Sequence, residues 1–418
     1  MVQWIVVSVG AALLLNSGSG TGAFATGQYR NLFAEAGYPP EQVTAKIDAA
    51  FQQLFHGDPN TQTVYYPAGT NANGPLAYLT DVANNDVRSE GVSYGMMIAV
   101  QMNKKAEFDA LWNWAKTFMY RDREGHPGRG YFSWSLNTKG TPRDEMPAPD
   151  GEEYFVMSLY FAAHRWGNGT GIYDYRTEAD RILTDMVHRA VVTGPTSRGP
   201  KTAGPMFQVE QAMIRFTPDT NFTDPSYHLP AFYELWALWG PEEDRAFFAK
   251  AAATSRDFLQ KVTHPVTGLA PDYANYDGSP RNYFQADSWR VAMNWSVDWS
   301  WWAKDPREQA LSDRIQAFFE AKGLDSYGNR FTLDGTPRGN SHSPGLVATN
   351  AVAGLAATDK DRAKKFLAAL WNTPIPSGRY RYYDGMLYLM SMLHCSGQFR
   401  IWPPQKPGSA PAPAMKRG

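Results

Sequence analysis

The sequence predicts an all-α fold, a single domain built as an (α/α)6 barrel with six inner helices ringed by six outer ones. Three observations predict it. Helix-like segments begin near residues 41, 90, 106, 151, 175, 228, 243, 287, 306, 346, 359 and 382, twelve in all. They come in close pairs, such as 90–103 with 106–119, 287–303 with 306–321, and 346–357 with 359–371. No long run alternates apolar and polar residues at the period of a half-buried strand. The pieces Gly130 to Ser135 and Arg379 to Tyr383 fit small hairpins at most. An α-solenoid is the other arrangement of paired helices, but it leaves open ends that need caps.

In chain order, the first element is an apolar run, Trp4 to Leu15, too short to span a bilayer. Small residues follow it, and Ala23-Phe24-Ala25 fits a signal-peptidase site. Residues 1–21 are therefore expected to be a leader, and the chain secreted or periplasmic. No Lys or Arg precedes the run, and Tyr29 to Phe33 already reads as folded domain, so a cytoplasmic protein is the alternative. The domain itself is expected to span 22–404. Within it, 346–357 (Leu346, Val347, Ala348, Ala351, Val352, Leu355, Ala356) is nearly all apolar and fits an inner helix. Segment 306–321 carries Arg307, Glu308, Asp313, Arg314 and Glu320 on a polar face and fits an outer one. Residues 405–418 are rich in Pro, Ala and Gly and read as a disordered tail.

Composition narrows the chemistry. The formal net charge of the 418 residues is −1, so nothing favours nucleic acid or another polyanion. Charged residues are sparse at 19%, whereas aromatics reach 14%, which suits a core and a cleft that stacks flat sugar faces. The single cysteine, Cys395, forms no internal disulfide and reads as a buried, inert thiol. No metal or cofactor is expected, because the histidines at 126, 164, 228 and 394 lack ligand spacing and read as structural. A monomer without membrane contact is expected.

Three carboxylates stand at helix starts among aromatics. Glu90 opens Glu90-Gly91-Val92-Ser93-Tyr94-Gly95-Met96-Met97. Apolar surroundings make a carboxyl hold its proton, as a general acid requires. Its structural alternative is a favourable charge at a helix N-terminus. Asp150, with Glu153 three residues on, reads first as a capping box, a role compatible with accepting bonds from sugar hydroxyls. Asp287 has Arg290 one turn on, and such a partner keeps a carboxylate ionised, as a general base requires. Here the structural alternative is an N-cap with an ion pair inside the helix. Hydrolysis of a glycosidic bond needs such a pair, one acid and one base. Trp134 and Trp289 adjoin rim elements and are the candidate sugar-stacking residues. Gly91-Val92-Ser93-Tyr94-Gly95 also matches G-x-S-x-G, but that motif needs a preceding strand, and Asp81 to Ser89 reads as polar and non-strand.

These motifs resemble those of glycoside hydrolase family 8, whose members are inverting hydrolases with an (α/α)6 barrel. The resemblance runs from about Gly22 to Trp402. It implies that Glu90 is the acid and Asp287 the base, with Tyr227 (in Asp224 to Pro230) and Arg290 beside the base. Asp150 matches the Asp that grips the central sugar. Within the family, the chain is most similar to reducing-end xylose-releasing exo-oligoxylanases, through Tyr29 to Phe33, Asp86 to Met102, Ala148 to Phe155, Asp224 to Tyr233 and Arg379 to Tyr383. Those enzymes close the cleft with a loop histidine, matched here by His342 in Gly339 to Gly345. The pattern has Leu before that histidine and Pro after it, whereas Ser341 and Ser343 flank it here. The implied substrate is a xylo-oligosaccharide. An endo-acting member of the family is the alternative, and an inactive oligosaccharide-binding protein the remote one.

Overall fold

The computed structural model describes residues 21–404, so the expected tail and all but the last residue of the expected leader lie outside the described residues. Two short helices, α1 (Ala23–Thr26) and α2 (Leu32–Glu35), precede α3 (Pro40–His56), α4 (Ser89–Gln101), α5 (Lys105–Trp114) and α6 (Pro149–Trp166). Then come α7 (Tyr175–His188), α8 (Pro230–Trp239), α9 (Arg245–Val262), α10 (Val291–Trp302), α11 (Arg307–Lys322), α12 (Pro344–Val352), α13 (Lys360–Asn372) and α14 (Arg381–Cys395). All twelve expected helices are present, each within about a turn of its expected start. Proline at the first helical positions sets the starts of α3, α6, α8 and α12, where its missing N–H leaves nothing unpaired.

Helices α4, α6, α8, α10, α12 and α14 are buried nearly all round. Helices α3, α5, α7, α9, α11 and α13 bury one stripe and expose the other face. The first group forms the inner ring. Helix α4 packs on α6, α8 on α10, α10 on α12, α12 on α14, and α14 back on α4. Tyr154 of α6 meets Phe232 of α8 edge-on at 5.2 Å, which joins the remaining pair. Each inner helix also packs on an outer neighbour, and the last inner helix, α14, takes the first outer one, α3. The chain thus closes on itself as a double ring, not an open solenoid. Strict alternation makes all six inner helices run the same way, with their N-terminal ends at one rim. No helix among the described residues is long and apolar enough to cross a membrane.

Two details depart from the sequence reading. Strands are more extensive than expected. β1 (Tyr65–Asn71), β2 (Gly74–Asp81), β3 (Asp86–Arg88), β4 (Ser135–Leu136) and β5 (Pro142–Asp144) form one antiparallel sheet in that order. Pro67, Gly69 and Pro75 interrupt the alternation of β1 and β2, and the pairing shifts register between Pro67 and Thr70. Three two-stranded hairpins accompany it, β6 (Val192–Thr196) with β7 (Gly199–Ala203), β8 (Phe207–Gln208) with β9 (Met213–Ile214), and β10 (Arg330–Phe331) with β11 (Pro337–Gly339). The second departure is Arg379 to Tyr383, which is no hairpin. Arg381 opens α14, and its buried guanidinium donates to the carbonyls of Thr63 (2.8 Å), Gly378 (2.6 Å) and Pro59 (3.1 Å). Gly130 to Ser135 holds only a bridge from Phe132 to Tyr120 and the first residue of β4. Cys395 is a buried free thiol, as expected.

Candidate active site

One guanidinium organises the rim. Arg290 is buried in the 3-10 turn Asp287–Arg290 that leads into α10. Its Nη1 donates to Asp150 Oδ2 (2.8 Å), Glu90 Oε2 (3.2 Å) and Tyr94 Oη (2.5 Å), and its Nη2 donates to Asp287 Oδ1 (3.1 Å). Residues almost 200 positions apart in sequence therefore meet across one side chain. Because the guanidinium is a small rigid fork, its contacts hold the Glu90 and Asp287 oxygens no farther apart than the upper end of the roughly 6.5–9.5 Å range of an inverting pair.

Position separates the three acids. Each stands at the start of an inner helix, where the positive end of the helix dipole favours negative charge. Burial opposes that charge. The Glu90 side chain is 14% exposed, whereas that of Asp287 is 29% exposed and open to solvent. Burial is the largest influence on Glu90 and pushes its carboxyl up to about 7; Arg290 opposes the shift, and the Asp150 and Asp287 charges add to it. Burial also raises Asp150 against the pull of Arg290. Glu90 Oε1 accepts a further bond from the Tyr382 hydroxyl at 3.0 Å. Strand β3 ends at Arg88, α4 begins at the next residue, and the Ser89 N–H is held by the Trp134 carbonyl at 3.0 Å. The sheet therefore aims the helix that carries Glu90.

Gly91 makes room for that contact. A Cβ there would stand 2.4 Å from the Tyr382 ring and hydroxyl. Gly91→Ala is expected to displace Tyr382 and lower kcat by about tenfold with the fold retained, as read by initial rates beside thermal unfolding.

The other predicted residues fall as follows. Tyr227 is buried at the rim, with the Arg290 guanidinium 5.7 Å from its ring centre. Trp289 forms a wall, its ring 5.6 Å from that of Tyr383 and its indole N–H on the Asn329 carbonyl at 3.1 Å. Trp134 is half-buried beside Arg88, 5.7 Å from the guanidinium. His342 is exposed in the loop between β11 and α12. Its Nδ1 lies 2.9 Å from the Tyr327 carbonyl, and no hydrogen bond among the described residues ties it to the carboxylate group.

Asp150 makes no capping box. Pro149 takes the first helical position, Ala148 becomes the cap, and Glu153 turns inward to the Tyr233 hydroxyl at 2.5 Å. Nor is Asp287 an N-cap, since that position is Ala286. The ion pair with Arg290 is present. A strand does precede the G-x-S-x-G match. However, Ser93 lies a full turn into α4, buried, with its hydroxyl on the Glu90 carbonyl at 2.9 Å, so it is no exposed nucleophile.

Four residues at the site went unread. Tyr94 lies one helical turn after Glu90 on the same face, and that spacing was a usable signal. Tyr382, Asp224 and Asp272 reach the site from distant segments. Asp224 is buried, accepts from the Ser226 N–H at 2.7 Å, and is pushed up by burial and by Asp287.

Comparison with known proteins agrees with this arrangement. Residues 73–397 match the family described as Glycosyl hydrolases family 8. The chain is 45% identical to the reducing-end xylose-releasing exo-oligoxylanase Rex8A of Paenibacillus barcinonensis, over 92% of this chain and 99% of that one. A solved xylobiose complex of a GH8 protein from Teredinibacter turnerae is 56% identical, with a TM-score of 0.90, over 92% of this chain and all of the other. A catalytic-mutant xylanase from the same organism, solved with xylohexaose, gives the same figures. The match spans every element that brings a carboxylate to Arg290, and the chain belongs to family 8 of the glycosyl hydrolases.

Proposed function

We propose that this glycoside hydrolase cleaves β-1,4-xylo-oligosaccharides and releases xylose from the reducing end with inversion. The observation that carries the reading is the single guanidinium of Arg290 held among Glu90, Asp150 and Asp287. Glu90, neutral in its buried position, protonates the glycosidic oxygen as the bond to the anomeric carbon breaks. Asp287, solvent-open and ion-paired, takes a proton from the water that attacks the opposite face. Tyr227 and Arg290 orient that water and the base. Asp150 grips the sugar between them, and Trp289, Trp134 and His342 contact the flanking units.

The reducing-end specificity is supported by the name of the Paenibacillus relative and by the retention of His342 in the matching loop. Binding of xylobiose and xylohexaose by the Teredinibacter proteins supports a xylose-based substrate. Ring closure leaves no open helical end to be covered, which supports action as a monomer. The apolar run before α1 supports export of the chain.

The test is chromatography of products from xylotriose and from its borohydride-reduced form. Xylotriose is expected to yield xylose and xylobiose, with the reduced form left uncut. Equal cleavage of both, together with cutting inside long xylan, would replace the reading with endo action. Intact oligosaccharide despite measurable binding would remove catalysis altogether.

A further inference from the structure

A helix start leaves backbone N–H groups without partners, and a side-chain oxygen at the N-cap usually takes one. The turn that carries Asp287 has Ala286 at that position, which offers no such oxygen. The oxygen comes instead from Asp272, in the loop after α9. Asp272 is buried, and its Oδ1 accepts both the Ser288 N–H (3.0 Å) and the Ser288 hydroxyl (2.7 Å). Ser288 is the residue directly after Asp287. Asp272 is itself anchored, its N–H on the Tyr283 carbonyl at 3.2 Å. Two residues on, Ala274 exchanges backbone bonds with Thr223, the neighbour of Asp224. One carboxylate therefore ties the Asp287 turn to the segment that carries Asp224 and Tyr227.

We infer that Asp272 is a positioning residue for the reaction, capping the Asp287 turn through both donors of Ser288 so that the Asp287 carboxylate faces the attacking water. This rests on the reading of Asp287 as the base. The titratable and charged groups that face Asp272 are Asp287 and Asp224, with Tyr273, Tyr383 and, beyond Asp287, Arg290. Burial first, and then the Asp287 charge, push Asp272 up to about 6, while both Ser288 donors and the Gln285 side chain pull it down. Above that pH the carboxylate is ionised and holds both donors firmly. Asp272 is buried with its Oδ1 on Ser288, so its loss is expected to act through placement of the base and to leave binding intact.

The experiment is steady-state kinetics of the full chain on xylotriose, with circular dichroism to confirm folding. Asp272→Ala is expected to lower kcat by about 10²-fold, the cost of a misplaced catalytic group, with KM little changed. Asp272→Asn keeps the accepting oxygen and is expected to restore most of kcat. Ser288→Ala keeps the backbone bond alone and is expected to lose about tenfold. Wild-type kcat in Asp272→Ala overturns the inference. So does a rise in KM at constant kcat, or an Asn variant as slow as the Ala one. Should Asp272→Ala fail to fold, unchanged kcat in Ser288→Ala overturns it alone. Asp287→Asn separates the two readings. Activity surviving there removes the base assignment, whereas an inactive Asp287→Asn beside a normal Asp272→Ala removes only the role of Asp272.

Discussion

Glu90→Gln is expected to lower kcat on xylotriose by at least 10²–10⁴-fold while the protein stays folded and binds substrate. Glutamine fills the same space, and its single amide oxygen can accept from Arg290 while its amide nitrogen donates to the Tyr382 hydroxyl oxygen, so both neighbours stay in contact, but it has no acidic proton to give. The pH dependence carries the same information. Burial outweighs the Arg290 charge and places the Glu90 carboxyl near 7. The active form is the neutral one, present below that value and lost as pH rises through it. The alkaline limb of kcat/KM, which reports the free enzyme, is therefore expected near pH 7. A xylobiosyl fluoride, whose leaving group departs without a proton, should lose far less rate in the Gln variant than xylotriose does. If the natural substrate and the fluoride slow equally, Glu90 is not the acid.

Asp287→Asn is the second large effect, again at least 10²–10⁴-fold in kcat. The amide oxygen can still accept from Arg290 Nη2, so the turn and its neighbours stay in place. What is lost is the group that takes the proton from water. KM and calorimetric affinity should be nearly unchanged, because the grip on the sugar is assigned to Asp150 and the aromatic walls. Near-normal turnover would remove Asp287 from the mechanism.

Much of this was legible from residue order, and the reasons are physical. Inner helices such as 346–357 must be apolar on every side, and that composition is visible without coordinates. Glu90 stands out because a lone carboxylate opens such a helix. Arg290 is one turn from Asp287, so their pairing follows from helical spacing, but its reach to Glu90 and Asp150 depends on closure of the ring. Asp150 misled because Asp-x-x-Glu is a sound capping pattern, yet Pro149 moved the cap by two positions and the interior claimed Glu153. Strands β1 and β2 were hidden by prolines and glycines that the edge of the sheet tolerates. Asp272 and Tyr382 carry no local signature, since their partners lie 16 and 292 positions away.

The bond from Tyr382 to Glu90 has a consequence for synthesis. It joins α4, early in the domain, to α14, so the proton donor's surroundings are assembled only after α14 has been made. Long-range closure of this kind delays folding relative to local helix pairing. A nascent chain that has released all but α14 from the ribosome holds its acid and its base but lacks Tyr382 and Tyr383, and is expected to stay catalytically silent until α14 docks.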